Sequence, residues 1–457
     1  MILHLYKVAR KEYASHQKYG ILKLQKIYGM EVFLLKLNKH FLINPDIVLK
    51  QFLFAIGLLF VIASFFLDSL PNLTHGLYTI ITSSDRLISD YVQIAGFGAT
   101  FLNAGLLMLI SIFILHISKA KMSGMAIAAV FLMGGFGMFG KNIANIWGIM
   151  FGVFLYSKYQ KHNFSQYIYI AFFGTSLAPL STELVLWKAD WGLAILFSFA
   201  IASIIGFLLP PISNSSLVVH QGYNLYNVGF GAGLLGTIVV AIMGSFGYEH
   251  TPNLIWYNQH NLYIILFLYL LFLSFIVGSF LIDDNILTRY QRILKRSGRL
   301  VSDFLAFEGF GTILFNMGLL GIIYTSYVLL VGGYINGPTI GGIFTIVGFG
   351  AFGKHLTNTI PITLGVVLGS LLKIWNINDP SVLLAALFGC GLAPIAGQFG
   401  FLYGICAGFI HLSLVLSIGI YHGGINLYNN GFSAGLVALF MIPIIETFHQ
   451  PKIRKKE

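Results

Sequence analysis

His220–Leu234 reads HQGYNLYNVGFGAGL, and His422–Leu436 reads HGGINLYNNGFSAGL. His, Gly, Asn-Leu-Tyr-Asn, Gly-Phe and Ala-Gly-Leu keep one register in both copies. Working outward, GFGATFLNAGLL from Gly96 returns as GFGTILFNMGLL from Gly309, and GGFGMFGKN from Gly134 returns as VGFGAFGKH from Val347. Both pairs are displaced by 213 residues, as Lys141 is from Lys354. Leu-Ala-Pro recurs at Leu177 and Leu392. Four blocks in one order, twice, mark an internal duplication.

The medium in which this duplicated chain folds follows from composition. Of 457 residues, 57% are hydrophobic and 9% charged, against roughly 25% charged in a soluble domain. Apolar runs recur from Phe52 onward, many near the roughly 20 residues that cross a bilayer. They lack the two-residue alternation of a barrel strand. The expected fold is all-α: a polytopic integral membrane protein of about 14 membrane segments in two inverted-topology repeats, with glycine-rich broken or re-entrant helices.

The net charge of +11 does not point to nucleic acid. The basic residues gather at Lys7–Lys50, Arg289–Arg299 and Lys452–Lys456, beside apolar spans, where the positive-inside rule puts them. The two cysteines, Cys390 and Cys406, suggest no disulfide framework. The histidines have no ligand spacing, and no phosphate loop or dinucleotide fingerprint occurs, so neither metal nor cofactor is expected. About fifty polar and basic residues before the first apolar run argue against a cleavable signal peptide.

In chain order, 1–50 reads as a basic cytoplasmic amphipathic segment and 51–69 as the first transmembrane helix. Repeat 1 follows at 90–246, then a linking helix at 261–282 and a basic cytoplasmic loop at 283–302. Repeat 2 spans 303–446, and 447–457 is a basic tail. One odd span between the repeats gives them opposite orientations. Basic clusters on one side require an even number of crossings per repeat, six or four. Both termini are then cytoplasmic in the plasma membrane of a bacterium. Lys188 and Lys373 fall on the opposite side.

The second and third segments of each repeat meet at a glycine-rich break carrying Lys141 or Lys354. Asn145 and Asn358, four residues on, share a helical face with the lysines. Half-helices meeting inside the membrane would turn N–H groups and positive dipole ends toward an anion. The competing reading is that the lysines snorkel to an interface. His220, Asn224 and Asn227, and likewise His422, Asn426 and Asn429, fall on one face and offer uncharged donors and acceptors, or else cap a helix. Asn103 and Asn316 read as interhelical packing first and path lining second. Glu183, where repeat 2 has Gln398, is the candidate for proton coupling unless it is solvated at its helix end.

At the duplicated GFG-x-x-(L/F)-x-N and FGKN/FGKH blocks the chain resembles a bacterial multi-pass membrane family known only as a domain of unknown function. The resemblance covers most of the chain and implies no activity. The FGKN and GYNLYN stretches are more faintly similar to Gly- and Asn-rich segments of urea transporters, whose two homologous halves are inverted. The proline-threonine pattern of that family is missing around Leu177 and Leu392, so this likeness bears on architecture and not on substrate.

The expected function is a transporter or permease for a small polar solute, anionic or carboxylate-bearing, with its path between the repeats. A facilitative channel for a neutral amide-like solute is the alternative. An intramembrane enzyme on lipid-linked substrates comes next, disfavoured because the polar residues recur symmetrically; no catalytic residue is assigned. The expected partners are the bilayer and the solute, with homo-oligomerisation left open.

Overall fold

The structure, a computed structural model, describes residues 45–187, 191–249 and 253–449. The N-terminal basic segment up to residue 44, Lys188 and the tail from residue 450 lie outside the described residues. Among the described residues all regular elements are helical, and the extended backbone forms only isolated bridges.

The helices are α1 (Pro45–Leu67), α2 (Leu70–Thr82), α3 (Tyr91–Ile117), α4 (Gly124–Phe136), α5 (Trp147–Tyr159), α6 (Ile168–Gly174), α7 (Ala178–Leu186), α8 (Trp191–Val219) and α9 (Asn227–Ser245). Then come α10 (Leu262–Ile282), α11 (Ile286–Leu294), α12 (Phe304–Leu330), α13 (Gly337–Phe349), α14 (Leu356–Leu372), α15 (Pro380–Gly389), α16 (Ala393–Phe399), α17 (Phe401–Ile418) and α18 (Asn429–His449). Short 3-10 turns join α6 to α7 and α15 to α16.

Ten helical stretches among the described residues are long and apolar enough to cross a membrane, fewer than the fourteen segments expected. The difference lies in α4, α5, α13 and α14. Thirteen-residue helices such as α4 and α13 reach about 20 Å, short of the roughly 30 Å hydrocarbon core. Each pair returns to the end of the bundle it left. Tyr169, at the start of α6, donates its hydroxyl to Lys121 O (3.0 Å), beside the start of α4. In the second copy Gly333, before α13, lies against Leu383 at the start of α15.

The matched helices form for matched reasons. α3 and α12 each run 27 residues and bend at Gly96 and Gly309, both at φ 79°, a conformation that favours glycine. Asp90 caps α3 by accepting from Val92 N (2.9 Å), and Asp303 caps α12 by accepting from Ala306 N (3.2 Å). Each carboxylate also reaches the opposite copy. Asp90 accepts from Gly337 N at the start of α13 (3.1 Å), and Asp303 from Gly124 N at the start of α4 (3.1 Å).

Between those shared caps α4 and α13 pack antiparallel at the centre, Gly124 against Ala351, Gly135 against Gly341, and Gly337 against Met138. Two further crossings recur. Gly152 and Gly206 let α5 and α8 touch backbone to backbone, and Gly365 and Gly408 do the same for α14 and α17. α1 rests on α3 at Gly105, and α10 on α12 at Gly318. Large apolar side chains such as Phe54, Leu196, Leu270 and Leu402 point outward, as lipid-facing residues do.

Candidate functional site: two glycine breaks clasped across the copies

Each break is held open by asparagines. Asn103 on α3 donates its amide to Gly137 O (2.7 Å) and Lys141 O (2.8 Å), and Asn316 on α12 donates to Gly350 O and Lys354 O (both 2.8 Å). Asn145 donates to Gly140 O (3.1 Å) and accepts from Asn142 N (3.0 Å). Asn358 donates to Gly353 O (2.9 Å) and accepts from His355 N (2.9 Å). These N–H groups are thus bonded to side chains.

The two long motifs meet across the duplication. Gly140 (φ 80°) and Gly353 (φ 103°) turn the chain in the breaks, and a Cβ on Gly140 would strike Leu427, while one on Gly353 would strike Leu225. Each Asn-Leu-Tyr-Asn therefore seats its leucine on the Phe-Gly-Lys glycine of the other copy. The backbone secures it: Leu427 N donates to Ser176 O and Leu225 N to Gly391 O, both at 2.9 Å. His220 bonds Asn227 (2.9 Å), which donates to Ser213 O (2.9 Å); His422 bonds Asn429 (3.0 Å), which donates to Val415 O (3.2 Å). Asn224 accepts from Tyr226 N and donates to Gly431 O (2.8 Å). Asn426 accepts from Tyr428 N, but its amide nitrogen is buried without a partner.

An aromatic partition fills the centre. Phe136 at the end of α4 stacks on Phe388 (5.5 Å) and meets Tyr428 (5.0 Å). Its counterpart Phe349 stacks on Phe173 (6.0 Å) and meets Tyr226 (5.2 Å). The tyrosines join the clusters at 5.2 Å. Both lysines are fully buried, each ammonium 5.1 Å from the ring of its own phenylalanine, Phe136 or Phe349. Lys354 Nζ donates to the Tyr226 hydroxyl. Lys141 Nζ instead donates to Phe172 O (3.3 Å) and faces Met133 Sδ (3.6 Å), and the Tyr428 hydroxyl is buried without a partner. Neither lysine has a carboxylate within ion-pair distance among the described residues.

Two cavities lie at matched loops of the copies. A small one, about 140 Å³, touches Tyr226, Phe349 and Tyr428 of the partition together with Asn227, Leu300 and Val301. A larger one, about 580 Å³, touches Arg86, Leu87, Ile88, Asn253, Asn429 and Asn430. Leu87–Ile88 and Leu300–Val301 are matched positions, as are Asn429 and Asn227.

Glu183 is buried and engaged on both oxygens, by Arg86 (3.2 Å), the Ser84 hydroxyl and the Tyr248 hydroxyl (2.8 Å). The isolated carboxylate nearby is Asp85, in the loop between α2 and α3 and outside the spanning helices. It accepts from Asn142 Nδ2 (3.0 Å), Asn145 Nδ2 (2.8 Å), Thr182 and Tyr91. Burial pushes its carboxyl up to about 7 against the hydrogen bonds from Thr182, Tyr91 and Asn145. The sequence signal for this loop is a fifth duplicated block, SDRLISD from Ser84 and SGRLVSD from Ser297, in which Asp85 stands opposite Gly298.

The profile of the DUF1576 family, described as a protein of unknown function, matches the chain twice, over residues 70–245 and 282–447. The chain belongs to this family. The matched stretches take in the short helices α2 and α11, upstream of the boundaries at 90 and 303 drawn from the motifs. No curated protein and no solved structure matches the chain.

Proposed function

We propose that this DUF1576 protein is a membrane transporter for a small anionic or carboxylate-bearing solute. The carrying observation is the pair of buried lysines without ion partners, set against an aromatic partition whose rings line a small cavity. Moving a lone ammonium out of water is costly unless something compensates its charge, and a bound anion would do so. The antiparallel packing of α4 on α13 supports inverted repeats, and the re-entrant pairs support four crossings in each repeat besides α1 and α10. In that topology the loop with Leu300 and Val301 faces the cytoplasm, with both termini, and the larger cavity faces outward.

Alternating access follows from the asymmetry. The lysine–tyrosine bond is made at Lys354–Tyr226 and open at Lys141–Tyr428, and both tyrosines line the small cavity. Exchanging the two would carry the asymmetry to the other copy. Flanking aromatic faces hold the ammonium by cation–π attraction while the bond changes. Asn253, Asn429 and Asn430 in the outer cavity favour a second reading, a channel for a neutral amide-like solute.

Proteoliposome uptake of labelled small carboxylates, inorganic anions and neutral amides tests both. Carboxylate or anion uptake that Lys141→Met/Lys354→Met abolishes is expected. Amide uptake that survives the double substitution, with no anion uptake, would overturn the proposal in favour of the channel.

A further inference from the structure

The two breaks differ in one coordinated way. Asp85 stands opposite Gly298, and three of its four side-chain donors are replaced with it: Tyr91 by Phe304, Asn142 by His355 and Thr182 by Gly397. Only Asn145 has its like in Asn358. The first break thus carries a complete carboxylate site that the second lacks.

That site has an oriented geometry. Asn142 Oδ1 is occupied by the Ala144 and Asn145 backbone N–H groups, and Asn145 Oδ1 by Asn142 N, so both amides must present N–H to Asp85 Oδ2. Oδ1 takes only the Tyr91 hydroxyl, whereas Oδ2 takes Asn142, Asn145 and Thr182. Oδ1 is therefore the oxygen with room for a proton from water while Oδ2 keeps its three donors. A cavity of about 220 Å³ touches Asn142, Asn145, Thr182 and Ser181. The Ser181 hydroxyl is buried there without a partner. The other charged and titratable groups nearby are Glu183, held by Arg86, Ser84 and Tyr248, and Lys141, held on Phe172 O.

We propose that Asp85 is a reversible proton-binding site. Its role as a coupling site rests on the anion-transport reading. With Asp85 ionised the first break holds one negative and one positive side chain. With Asp85 protonated it holds only Lys141, as the second break holds only Lys354. Proton binding thereby raises the attraction for an anion, and by linkage an anion raises the affinity for the proton.

Infrared difference spectra of the purified protein, acidified through neutrality, test the site without a solute. The C=O band of a carboxyl protonating near neutrality is expected in wild type and in Glu183→Gln and is expected to be lost in Asp85→Asn, while Asp90, pushed up by burial to about 6, adds its band at lower pH in all three. Thermal midpoints give a second readout. The folded carboxyl holds its proton to higher pH than the unfolded one, so wild type should lose stability as pH rises toward and through neutrality. Asp85→Asn should lose the part of that fall nearest neutrality and keep the part that Asp90 gives at lower pH. A wild type with no carboxyl band near neutrality, a band that disappears in Glu183→Gln instead, or an unchanged melting profile in Asp85→Asn would overturn the proposal. The wild-type spectrum decides even if the variant does not fold. Should Asp85 titrate while the liposomes take up no anion, the transport reading falls and the proton site stands.

Discussion

Replacing Asp90 by alanine should cost more stability than replacing Asp303, although both cap a helix of the same length and bend. Asp303 accepts from Ala306 N on its own helix and from Gly124 N of the other copy (3.1 Å). Losing an N-cap costs about 1 kcal/mol, and losing a hydrogen bond to a charged group about 2 kcal/mol, so Asp303→Ala should cost about 3 kcal/mol. Asp90 accepts from Val92 N (2.9 Å) and Gly337 N (3.1 Å), and also from Tyr257 N (2.9 Å). The additional donor raises the expected cost of Asp90→Ala to about 5 kcal/mol. Unfolding by SDS in mixed micelles, followed by tryptophan fluorescence, measures both. Exchange rates of the Gly124 and Gly337 amides, by hydrogen–deuterium exchange, should rise in the variant that strips each. Equal losses, or a larger loss for Asp303→Ala, would refute the added hold of Tyr257 on Asp90, and unchanged exchange at Gly124 and Gly337 would refute the claim that the carboxylates tie the copies together.

Other substitutions probe other joints of the same frame. Tyr226→Phe removes the hydroxyl that Lys354 bonds and should cost about 2 kcal/mol in the same unfolding assay, whereas Tyr428→Phe deletes a hydroxyl without a partner and should be neutral or stabilising. Asn103→Leu should cost about 1 kcal/mol more than Asn316→Leu, because Asn103 also accepts from Ile143 N (3.3 Å) while Asn316 Oδ1 has no partner. Gly152→Ala places a Cβ about 2.0 Å from Ser203 O and should cost at least about 2 kcal/mol by forcing α5 off α8. Gly244→Ala meets nothing within 4 Å and should gain up to about 1 kcal/mol.

The membrane class and the duplication were legible because each leaves a repeated local mark: apolar runs, and motifs at one displacement. The number of spans was not. A window of apolar residues does not distinguish a helix that crosses from one that stops midway, and α4 and α13 are wholly apolar yet 13 residues long. Parity did allow four crossings per repeat, the number that matches these short pairs. Helical spacing put Lys141 and Asn145 on one face, but the break unwinds that stretch, and Asn145 turns to the carbonyl of Gly140. Nor could spacing show that Leu225 and Leu427 dock on glycines more than a hundred residues away. Lys373, awkward for the charge rule, lies at the end of α14 with its ammonium on Phe409 O (3.0 Å) and Ser413.

What the copies share and where they part divide the molecule's work. The retained residues shape backbone: Asn103 and Asn316 hold break carbonyls, Leu225 and Leu427 fill the glycine turns, and Asp90 and Asp303 cap helices across the copies. A chain built only of such pairs would have its two cavities alike. They differ in volume, about 580 against about 140 Å³, and the larger lies beside the loop of Asp85 and Arg86. The asymmetry in shape thus coincides with the asymmetry in charge. Asp85 pins its loop to Asn142, Asn145 and Thr182 through a carboxyl, the one group of the four whose charge can depend on pH. Gly298 pins the opposite loop by packing on Gly353 O, a contact indifferent to pH. Substituting Gly298 by aspartate would set its Cβ about 2.0 Å from Gly353 O, and the positions matching Tyr91, Asn142 and Thr182 hold Phe304, His355 and Gly397, so the site depends on its donors and its backbone room as much as on its acid.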